Sequence, residues 1–399
     1  MSHVTALEAQ HVLQTYKRQP VVFVRGEGSR LFDENGTRYL DFISGIGVCV
    51  LGHAHPGLAA VIADQSKTLI HISNLYYHPL QGQLAARLAS LSGLQRTFFC
   101  NSGTEAVEAC LKFARRYFYS KGVKNRTQYV ALQHGFSGRS MGALSVTSNA
   151  GYREPFGPLI PGVTFIAPDD IKGLEAAVTD STAAVIAEPI QGEGGVRPLP
   201  PEFAAAIARV TKQTGTLLIA DEIQCGLGRT GHRFHFQSFG WTPDLVTVGK
   251  ALGSGVPIGA ALVAEHVAAQ IFAGDHGTTY GGNLLATRAA LYVLEQLDAL
   301  APHITDAGAR FEQKLQDLQR THKIVTAVRG AGLMRGLELA IDAQPVVAAA
   351  LQKGLLVNRT AERVVRMLPP LNVTAAEIDE AASILDAVLA SVSVEEVKA

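Results

Sequence analysis

The sequence predicts an α/β fold in which a mostly parallel sheet lies between helices. Five short segments are apolar throughout instead of alternating, which is typical of strands that are covered on both faces. Helical patterns separate several of them, for example at residues 203–210. The five apolar segments span residues 97–100, 129–132, 184–187, 217–220 and 245–248.

The two ends of the chain have a different pattern. Residues 21–42 alternate and carry a turn signal at 34–36, which predicts short antiparallel strands. A long helical pattern begins after Asn283, and it is followed by predicted strands within 325–339 and a predicted helix at 375–392. Because single cores stop growing near about 250–300 residues, a chain of 399 residues predicts a second, smaller α+β domain. The expected division is a large domain at 51–284 and a small domain formed by 1–50 and 285–399.

The composition argues against several classes of protein. Apolar residues make up 47% of the chain and charged residues 18%, which is typical of a packed globular protein. Lys and Arg together number 35, as do Asp and Glu, so no net charge attracts nucleic acid or anionic lipid. No apolar segment approaches the ~20 residues of a membrane span, and residues 1–20 lack the apolar core of a secretion signal. We therefore expect a cytoplasmic protein without nucleic-acid or membrane partners.

The four cysteines are Cys49, Cys100, Cys110 and Cys225, and none of them forms a CxxC pair. This spacing favours buried free thiols in a reducing compartment over disulfides or metal ligands. We expect no metal site.

Polar residues follow four of the apolar segments at the point where the predicted strand ends. Ligands of open α/β sheets bind beyond the carboxyl ends of the strands, so we expect these residues to converge although they are far apart in sequence. They are Asn101-Ser102-Gly103-Thr104, Glu188, Asp221 and Lys250.

The segment 101–105 connects a predicted strand to an amphipathic helix. Ser102 and Glu105 fit a capping box, which is sufficient to explain the segment as a helix start. A second interpretation is an anion cradle, because a small turn containing Gly103 lets backbone N–H groups approach a phosphate at the helix N-terminus. The segment matches neither the P-loop nor the GxGxxG pattern.

Asp221 and Lys250 each follow an apolar strand. Asp221 could cap the next helix or pair with an arginine. Its carboxylate could also accept a hydrogen bond from a protonated ring nitrogen. Lys250 could be solvated at the strand end. In an apolar setting its pKa would fall, and the amine would become a competent nucleophile.

The loop 134–139 presents Phe136 between glycines, followed by Arg139. Phe136 could be a core residue or a ring that stacks on a flat ligand. Arg139 could form a surface ion pair, or its planar guanidinium could bind a carboxylate.

Together these motifs resemble the class-III aminotransferases, a family that uses pyridoxal 5′-phosphate (PLP). The resemblance covers nearly the whole chain, and its most specific stretches are GHAHP at 52–56, NSGTEA at 101–106, HGFSGRS at 134–140, EPIQGEGG at 188–195, DEIQCGLGRTG at 221–231, GKALGSGVPIGA at 249–260 and HGTTYGGN at 276–283. It implies PLP-transferase fold type I, with a seven-stranded sheet in the large domain, and a homodimer with shared active sites.

The resemblance also implies the residues that bind the cofactor. Lys250 would carry PLP and Asp221 would pair with its ring nitrogen; these two are the expected catalytic residues. Phe136 and Ile223 would lie on the two faces of the ring, and Gln224 would approach its hydroxyl group. The remaining expected cofactor contacts are Ser102, Gly103, Thr104, Glu222 and, from the other subunit, Thr279.

For the substrates, the resemblance implies that Arg139 binds the α-carboxylate and that Thr278 lies nearby. Glu193 would shield Arg366 for one substrate and release it for the other. Ile46 occupies a position where ornithine-specific members of the family tend to carry a tyrosine. An apolar residue there better tolerates an N-acyl group, because no buried hydroxyl is left unpaired.

The expected reaction is therefore transfer of the side-chain amino group of N2-acetyl-L-ornithine to 2-oxoglutarate, a step of arginine biosynthesis. Several alternatives stay open. They are N-succinyl-ornithine or N-succinyl-diaminopimelate, carrier-linked lysine, ornithine or 4-aminobutyrate as amine donor, an isomerase of the glutamate-semialdehyde aminomutase type, and a non-catalytic protein with this fold.

Overall fold

The computed structural model of the chain describes residues 3–392; residues 1–2 and 393–399, which fall in the predicted small domain, lie outside the described part. Up to the first strand of the large sheet, the elements are α1 (His3–His11), β1 (Phe23–Glu27), β2 (Arg30–Asp33), β3 (Arg38–Asp41), α2 (Ser44–Gly47), α3 (Pro56–Thr68), α4 (Pro79–Ser92) and β4 (Arg96–Cys100).

The middle of the chain continues the large sheet. Its elements are α5 (Gly103–Ser120), β5 (Gln128–Leu132), α6 (Met141–Ser145), α7 (Ala150–Arg153), β6 (Val163–Ile166), α8 (Ile171–Ala177), β7 (Thr182–Ala187), β8 (Ile190–Gln191), β9 (Arg197–Pro198), α9 (Pro201–Thr214), β10 (Leu217–Asp221), β11 (Leu245–Val248) and β12 (Gly259–Val263). The C-terminal elements are α10 (Glu265–Ala268), α11 (Leu284–Thr321), β13 (Val325–Ala331), β14 (Met334–Leu339), α12 (Gln344–Gln352), β15 (Leu355–Leu356), β16 (Asn358–Thr360), β17 (Val364–Met367) and α13 (Ala375–Ser391).

The central sheet has seven strands in the order β4-β12-β11-β10-β7-β5-β6. Strands β10, β11, β7, β5 and β6 pair in parallel, whereas β12 runs antiparallel to both of its neighbours. All five apolar segments lie in strands of this sheet, so the prediction of an α/β fold with a mainly parallel seven-stranded sheet is confirmed. Strands β6 and β12 were not among the five segments.

Helices cover both faces of this sheet, which explains the continuous apolar segments. Every residue of β7, β10, β11 and β12 is buried. On α5, Val107, Cys110, Leu111 and Ala114 are buried on one face, as their helical spacing predicts. Burying each large apolar side chain contributes about 1.5–3 kcal/mol, so this layer is a major source of stability.

The two ends of the chain meet in a second sheet of order β1-β2-β3-β15. Strands β1 to β3 are antiparallel, as the alternation predicts, and β15 pairs in parallel with β3. A third sheet has the order β13-β14-β17-β16. These sheets and helices α11 to α13 form the α+β part of the molecule, while its boundaries at residues 50/51 and 284/285 stay a prediction.

Helix α11 extends well beyond the predicted stretch and contains Pro302 in its interior. Proline removes one backbone hydrogen bond, so the helix depends on packing to continue. Leu297, Ile304 and Phe311 are buried along the same helix, which supplies that packing on both sides of Pro302.

Within residues 3–392, no helix is both long enough and apolar enough to cross a membrane. The same residues contain no group of three or more His, Cys, Asp or Glu side chains that could hold a metal ion. The four cysteines are unpaired, and all except the partly exposed Cys49 are buried.

Candidate active site

Several of the predicted residues line one cavity of about 300 Å³ at the carboxyl edge of the central sheet. Strand β4 ends just before the segment 101–105, Asp221 is the last residue of β10, and Lys250 lies two residues after the end of β11. The parallel strands thus deliver their polar ends to one place. The residues that line the cavity are Ser102, Gly103, Thr104, Phe136, Ser137, Gly138, Arg139, Glu188, Asp221, Ile223, Gln224 and Lys250.

The segment 101–105 after β4 has the geometry of a helix cap and also that of an anion cradle. The Ser102 Oγ accepts a hydrogen bond from the Glu105 N–H (3.3 Å), so Ser102 caps α5. The start of this 18-residue helix also faces the cavity, where its free N–H groups favour an anion. A Cβ at Gly103 would lie 2.9 Å from the Ile223 side chain, so glycine is required for this close approach.

Asp221 is almost fully buried and held in one orientation. Its Oδ1 accepts hydrogen bonds from the Thr247 hydroxyl (2.8 Å) and the Ile223 N–H (3.2 Å). Its Oδ2 is buried and has no hydrogen-bond partner among residues 3–392. Burial raises the pKa of Asp221 to about 6, while its hydrogen bonds and the charge of Lys250 lower it. The oxygen without a partner fits an N–H donor such as a protonated ring nitrogen.

Lys250 lines the same cavity as Asp221 and has a constrained backbone. Its φ of 32° is in a region that non-glycine residues rarely adopt. The preceding Gly249 is also restricted, because a Cβ there would lie 3.2 Å from the Gly103 Cα. Burial lowers the pKa of the Lys250 amine, although the carboxylates of Glu193, Glu188 and Asp221 oppose this effect. Burial therefore increases the fraction of the neutral, nucleophilic amine.

The walls of the cavity include Phe136 and Ile223, the residues expected on the two faces of a flat ring. The Phe136 N–H donates to Glu188 Oε1 (2.8 Å), and the Gly192 N–H donates to Glu188 Oε2 (3.1 Å). Burial raises the pKa of Glu188, and the charge of Asp221 adds to this effect. Glu188 was noted at a strand end but given no role. Its position as the first residue of the EPIQGEGG stretch was the available signal.

Arg366 is 1% exposed and forms the pair with Glu193 that was expected. Its Nη1 lies 2.5 Å from Glu193 Oε1 and donates to Gln224 Oε1 at 3.1 Å, while its Nε donates to Asn358 Oδ1 at 3.2 Å. The positive charge and hydrogen bond of Arg366 lower the pKa of Glu193 although burial raises it. Asn358 was not predicted, and its polar side chain beside a strand gave no signal for this contact.

Arg139 has a different environment. Its guanidinium carbon lies 3.5 Å from the ring centre of Tyr152, a cation–π contact. Within residues 3–392 it forms no salt bridge, so its planar N–H groups stay free to bind a carboxylate.

A second cavity of about 530 Å³ adjoins the first, and Phe136 lines both. Glu193 and Thr360 line the second cavity, and the Thr360 hydroxyl donates to the Glu193 carbonyl oxygen (2.6 Å). The Glu193 side chain is 37% exposed, so it can move without leaving a closed core.

Six of the predicted residues do not line the first cavity: Glu193 and Arg366, described above, and Glu222, Ile46, Thr278 and Thr279. Glu222 is buried, and its carboxylate accepts from the His235 and Phe236 N–H groups, so its side chain holds the loop after β10. Ile46 is 42% exposed. The Thr278 hydroxyl lies 3.3 Å from Asn101 Nδ2, and the neighbouring Thr279 is exposed.

The fold and this cavity define a PLP-dependent transferase. The helix N-terminus fits a phosphate, the free oxygen of Asp221 fits a ring N–H, and Lys250 supplies the amine that binds an aldehyde. A cavity wall of Phe136 and Ile223 fits the faces of a flat ring.

Comparison with known proteins gives the family. Residues 12–389 match the family model of the class-III aminotransferases. The chain is 46% identical to an acetylornithine aminotransferase of Gloeobacter violaceus, with 96% of this chain and 97% of the relative covered. It is 42% identical to an acetylornithine aminotransferase of Methanocaldococcus jannaschii, with 97% and 98% covered.

Among solved structures, the ornithine aminotransferase of Toxoplasma gondii, which contains PLP at partial occupancy in its active site, superposes with a TM-score of 0.93. It is 33% identical, and 99% of this chain and 96% of that chain are covered. The chain belongs to the class-III aminotransferase family. It is a PLP-dependent aminotransferase.

Proposed function

We propose that the enzyme transfers the side-chain amino group of N2-acetyl-L-ornithine to 2-oxoglutarate. The products are N-acetyl-L-glutamate 5-semialdehyde and L-glutamate. The observation that carries this proposal is the Arg366–Glu193 pair, which is connected to the cofactor cavity through the hydrogen bond from Arg366 to Gln224. The names of the relatives at 42–46% identity support acetylornithine as the amine donor.

In this proposal, Lys250 and Asp221 are the catalytic residues. Lys250 would hold the aldehyde of PLP through its amine, and this amine would move the proton of the substrate's reacting carbon. Asp221 would keep the ring nitrogen protonated, because a buried carboxylate with a free oxygen favours a positive N–H partner. PLP supplies an electron sink for the carbon that loses its proton.

The other residues of the cavity position the cofactor. Phe136 and Ile223 would hold the ring, and Ser102, Gly103 and Thr104 at the start of α5 would bind the phosphate. Gln224 would bind the ring hydroxyl, its Oε1 accepts a hydrogen bond from Arg366, and Glu222 supports the loop after β10.

The two arginines explain how one cleft accepts two substrates. Arg139 binds the carboxylate that is remote from the reacting carbon, which is the α-carboxylate of acetylornithine and the side-chain carboxylate of 2-oxoglutarate, and Thr278 lies near this site. When the acetylated amine donor is bound, Glu193 neutralises Arg366. When the dicarboxylate is bound, Glu193 moves aside and the carboxylate next to the reacting carbon pairs with Arg366. Truncating one partner of a buried charge pair is strongly unfavourable, so the replacement of one carboxylate by another keeps Arg366 neutralised at each stage.

Ile46 is consistent with an acylated donor. Its side chain is partly exposed and carries no hydrogen-bonding group, so the site offers nothing to a free α-amino group at this position.

The assembly in this proposal is a homodimer with shared active sites, acting in the cytoplasm. Thr279 reaches the phosphate of the partner subunit, and its exposure in the single chain fits this role. Tyr280 lies next to Thr279, and Leu75, Tyr76 and Tyr77 lie between Asn74 and His78, whose side chains bond to the carbonyl oxygens of Gly281 and Gly282. All four side chains are exposed, as expected for a surface that a partner subunit covers. The proposed division into domains is 51–284 against 1–50 with 285–399.

The test is a kinetic comparison of amine donors with 2-oxoglutarate as acceptor. We expect kcat/KM to be highest for acetylornithine and lower for succinylornithine, succinyl-diaminopimelate, carrier-linked lysine, ornithine and 4-aminobutyrate. A higher value for ornithine or 4-aminobutyrate would contradict the donor assignment. Turnover without any keto acid would indicate an isomerase.

The site of cofactor attachment needs its own experiment. Borohydride reduction of the yellow protein, followed by peptide mapping, should place the pyridoxyl label on Lys250, and Lys250→Ala should take up no label. A label on another lysine would refute the catalytic assignment while leaving the family unchanged.

A further inference from the structure

A surface cavity of about 630 Å³ lies along the second half of α5 and the loop that follows it. It shares no lining residue with the cofactor cavity. At a rise of 1.5 Å per residue, Tyr119 in its wall is about 24 Å along the helix from Gly103. The feature is therefore separate from the site described above.

The lining of this cavity is strongly basic. It contains five cationic side chains and one carboxylate, that of Asp275; the cations are Lys112, Arg115, Arg116, Lys124 and Arg126. The whole chain has equal numbers of acidic and basic residues, so the positive charge of this cavity is local and does not reflect an overall basic protein. Like charges held this close repel one another, and an anion would relieve the repulsion.

Carboxylates neutralise only part of this charge. The Arg116 Nε lies 2.7 Å from Asp275 Oδ2, and Arg126 lies 3.9 Å from the fully exposed Asp180. Arg115 donates two hydrogen bonds to the Thr127 carbonyl oxygen (2.9 and 2.7 Å), which fixes the guanidinium without neutralising it. Among the described residues, no carboxylate forms a salt bridge with Lys124.

The cavity also has an aromatic wall. Tyr119 is 57% exposed, and the Arg116 guanidinium and the Lys124 amine lie 5.7 and 5.1 Å from its ring centre. Phe113, which is 4% exposed, forms part of the inner surface. A half-exposed ring beside cations is the arrangement that stacks on a flat heterocycle while the cations bind attached phosphates.

We propose that this cavity binds a small polyanion that carries a flat ring, of the nucleoside polyphosphate class. Its volume is in the range of small-molecule sites, about 300–1,000 Å³, and is too small for a folded partner. The five cations match several phosphate charges, and Tyr119 matches the base. This proposal does not depend on which amine donor the enzyme uses.

The experiment is isothermal titration calorimetry of the PLP-loaded enzyme with ATP as the sodium salt. It is done at low salt and at about 0.3 M salt, because salt screens the attraction between the cations and the phosphates. Inorganic triphosphate is the second probe. The variants are Lys124→Glu and Tyr119→Ala, both exposed positions, with Arg209→Glu as the charge-reversal control at an exposed arginine of α9, away from this cavity. All three should keep the aminotransferase activity and unfolding temperature of the unaltered enzyme.

We expect one saturable ATP site per chain, weakened by salt. Lys124→Glu should weaken ATP binding about tenfold or more, because it replaces an attraction by a repulsion. Tyr119→Ala should weaken ATP binding severalfold and leave triphosphate binding unchanged, and Arg209→Glu should change neither.

Three results would overturn the proposal. The first is no saturable heat with ATP up to millimolar concentration. The second is an ATP affinity that Lys124→Glu leaves intact, which would place the binding elsewhere, for example at Arg139. The third is equal affinity for triphosphate and ATP, or binding of an oligonucleotide or an acidic peptide in place of either small probe.

Discussion

The two arginines of the active cleft, Arg366 and Arg139, differ in how their charge is held. Arg366 is buried and bonded to a carboxylate and two side-chain amides. Arg139 lies against the Tyr152 ring and has no anionic partner among residues 3–392. An arginine without a carboxylate is ready for every substrate, whereas a paired arginine is available only when its partner leaves. The difference indicates that one carboxylate site is constant and the other is conditional.

The largest effect is expected for the loss of Arg139, the arginine without a carboxylate partner. We expect Arg139→Ala to lower kcat/KM by about 10²–10³-fold for both acetylornithine and 2-oxoglutarate, because each substrate loses the partner of the carboxylate that is remote from its reacting carbon. Single-turnover rates for each half-reaction provide the measurement. Arg139→Lys is the control for charge without planar geometry, and a loss confined to one substrate would contradict a shared role.

Arg366→Ala should separate the two half-reactions. We expect kcat/KM for 2-oxoglutarate to fall about 10²-fold, while the value for acetylornithine changes by less than about fivefold. The double variant with Glu193→Gln checks that an unpaired Glu193 is not the cause. Equal losses in both half-reactions would show that Arg366 serves both substrates.

Glu193→Gln should have a smaller effect, which is a change in the preference between the two amine donors. Without the negative charge, Arg366 is neutralised less well when the acetylated donor is bound. We expect the ratio of kcat/KM for glutamate to that for acetylornithine to rise about tenfold. The ratio is measured from the two amine donors under the same conditions, and an unchanged ratio would mean that Glu193 does not select between them.

His53 is a cation outside the cleft whose carboxylate partner, Asp41, is always present, so this pair contributes to the stability of the fold. His53 Nε2 lies 2.7 Å from the buried Asp41 Oδ2, and hydrogen bonding to Asp41 is the main cause that raises the pKa of His53 to about 9. A raised pKa means that the stabilisation is complete below about 6.5 and is lost as the pH rises through about 9.

The measurement is the free energy of unfolding of the unaltered protein and His53→Gln between pH 6 and 9.5. We expect a difference of roughly 1–3 kcal/mol at pH 6 that shrinks toward the upper end of this range. A constant difference would mean that packing and not charge is responsible.

Much of the fold could be predicted because the strands β4, β5, β7, β10 and β11 each contain a continuous apolar segment. Strand β12 was missed because it begins with Gly259 and two alanines, which carry little apolar signal. A Cβ at Gly259 would lie 2.3 Å from the Ser102 carbonyl oxygen, so proximity to the cradle selects the small residue. Local sequence does not contain that tertiary requirement.

The site was predictable to a similar degree. Residues that end strands, such as Asp221 and Lys250, could be placed from pattern because parallel strands share an edge. The contact of Asn358 with Arg366 joins two paired strands of the small sheet, and its register is set by packing between strands. The Glu188 hydrogen bonds depend on loops that fold back on one another, which no spacing encodes.

The pairing of β15 with β3 has a consequence for synthesis of the chain. Leu355 and Leu356 align with Leu40 and Asp41. Strands β1 to β3 therefore leave the ribosome long before β15, the strand that completes their sheet. Until then an edge of that sheet is open to pairing with other chains. Slow translation between these segments would prolong this exposure, and a chaperone that covers open strand edges would act mainly during this interval.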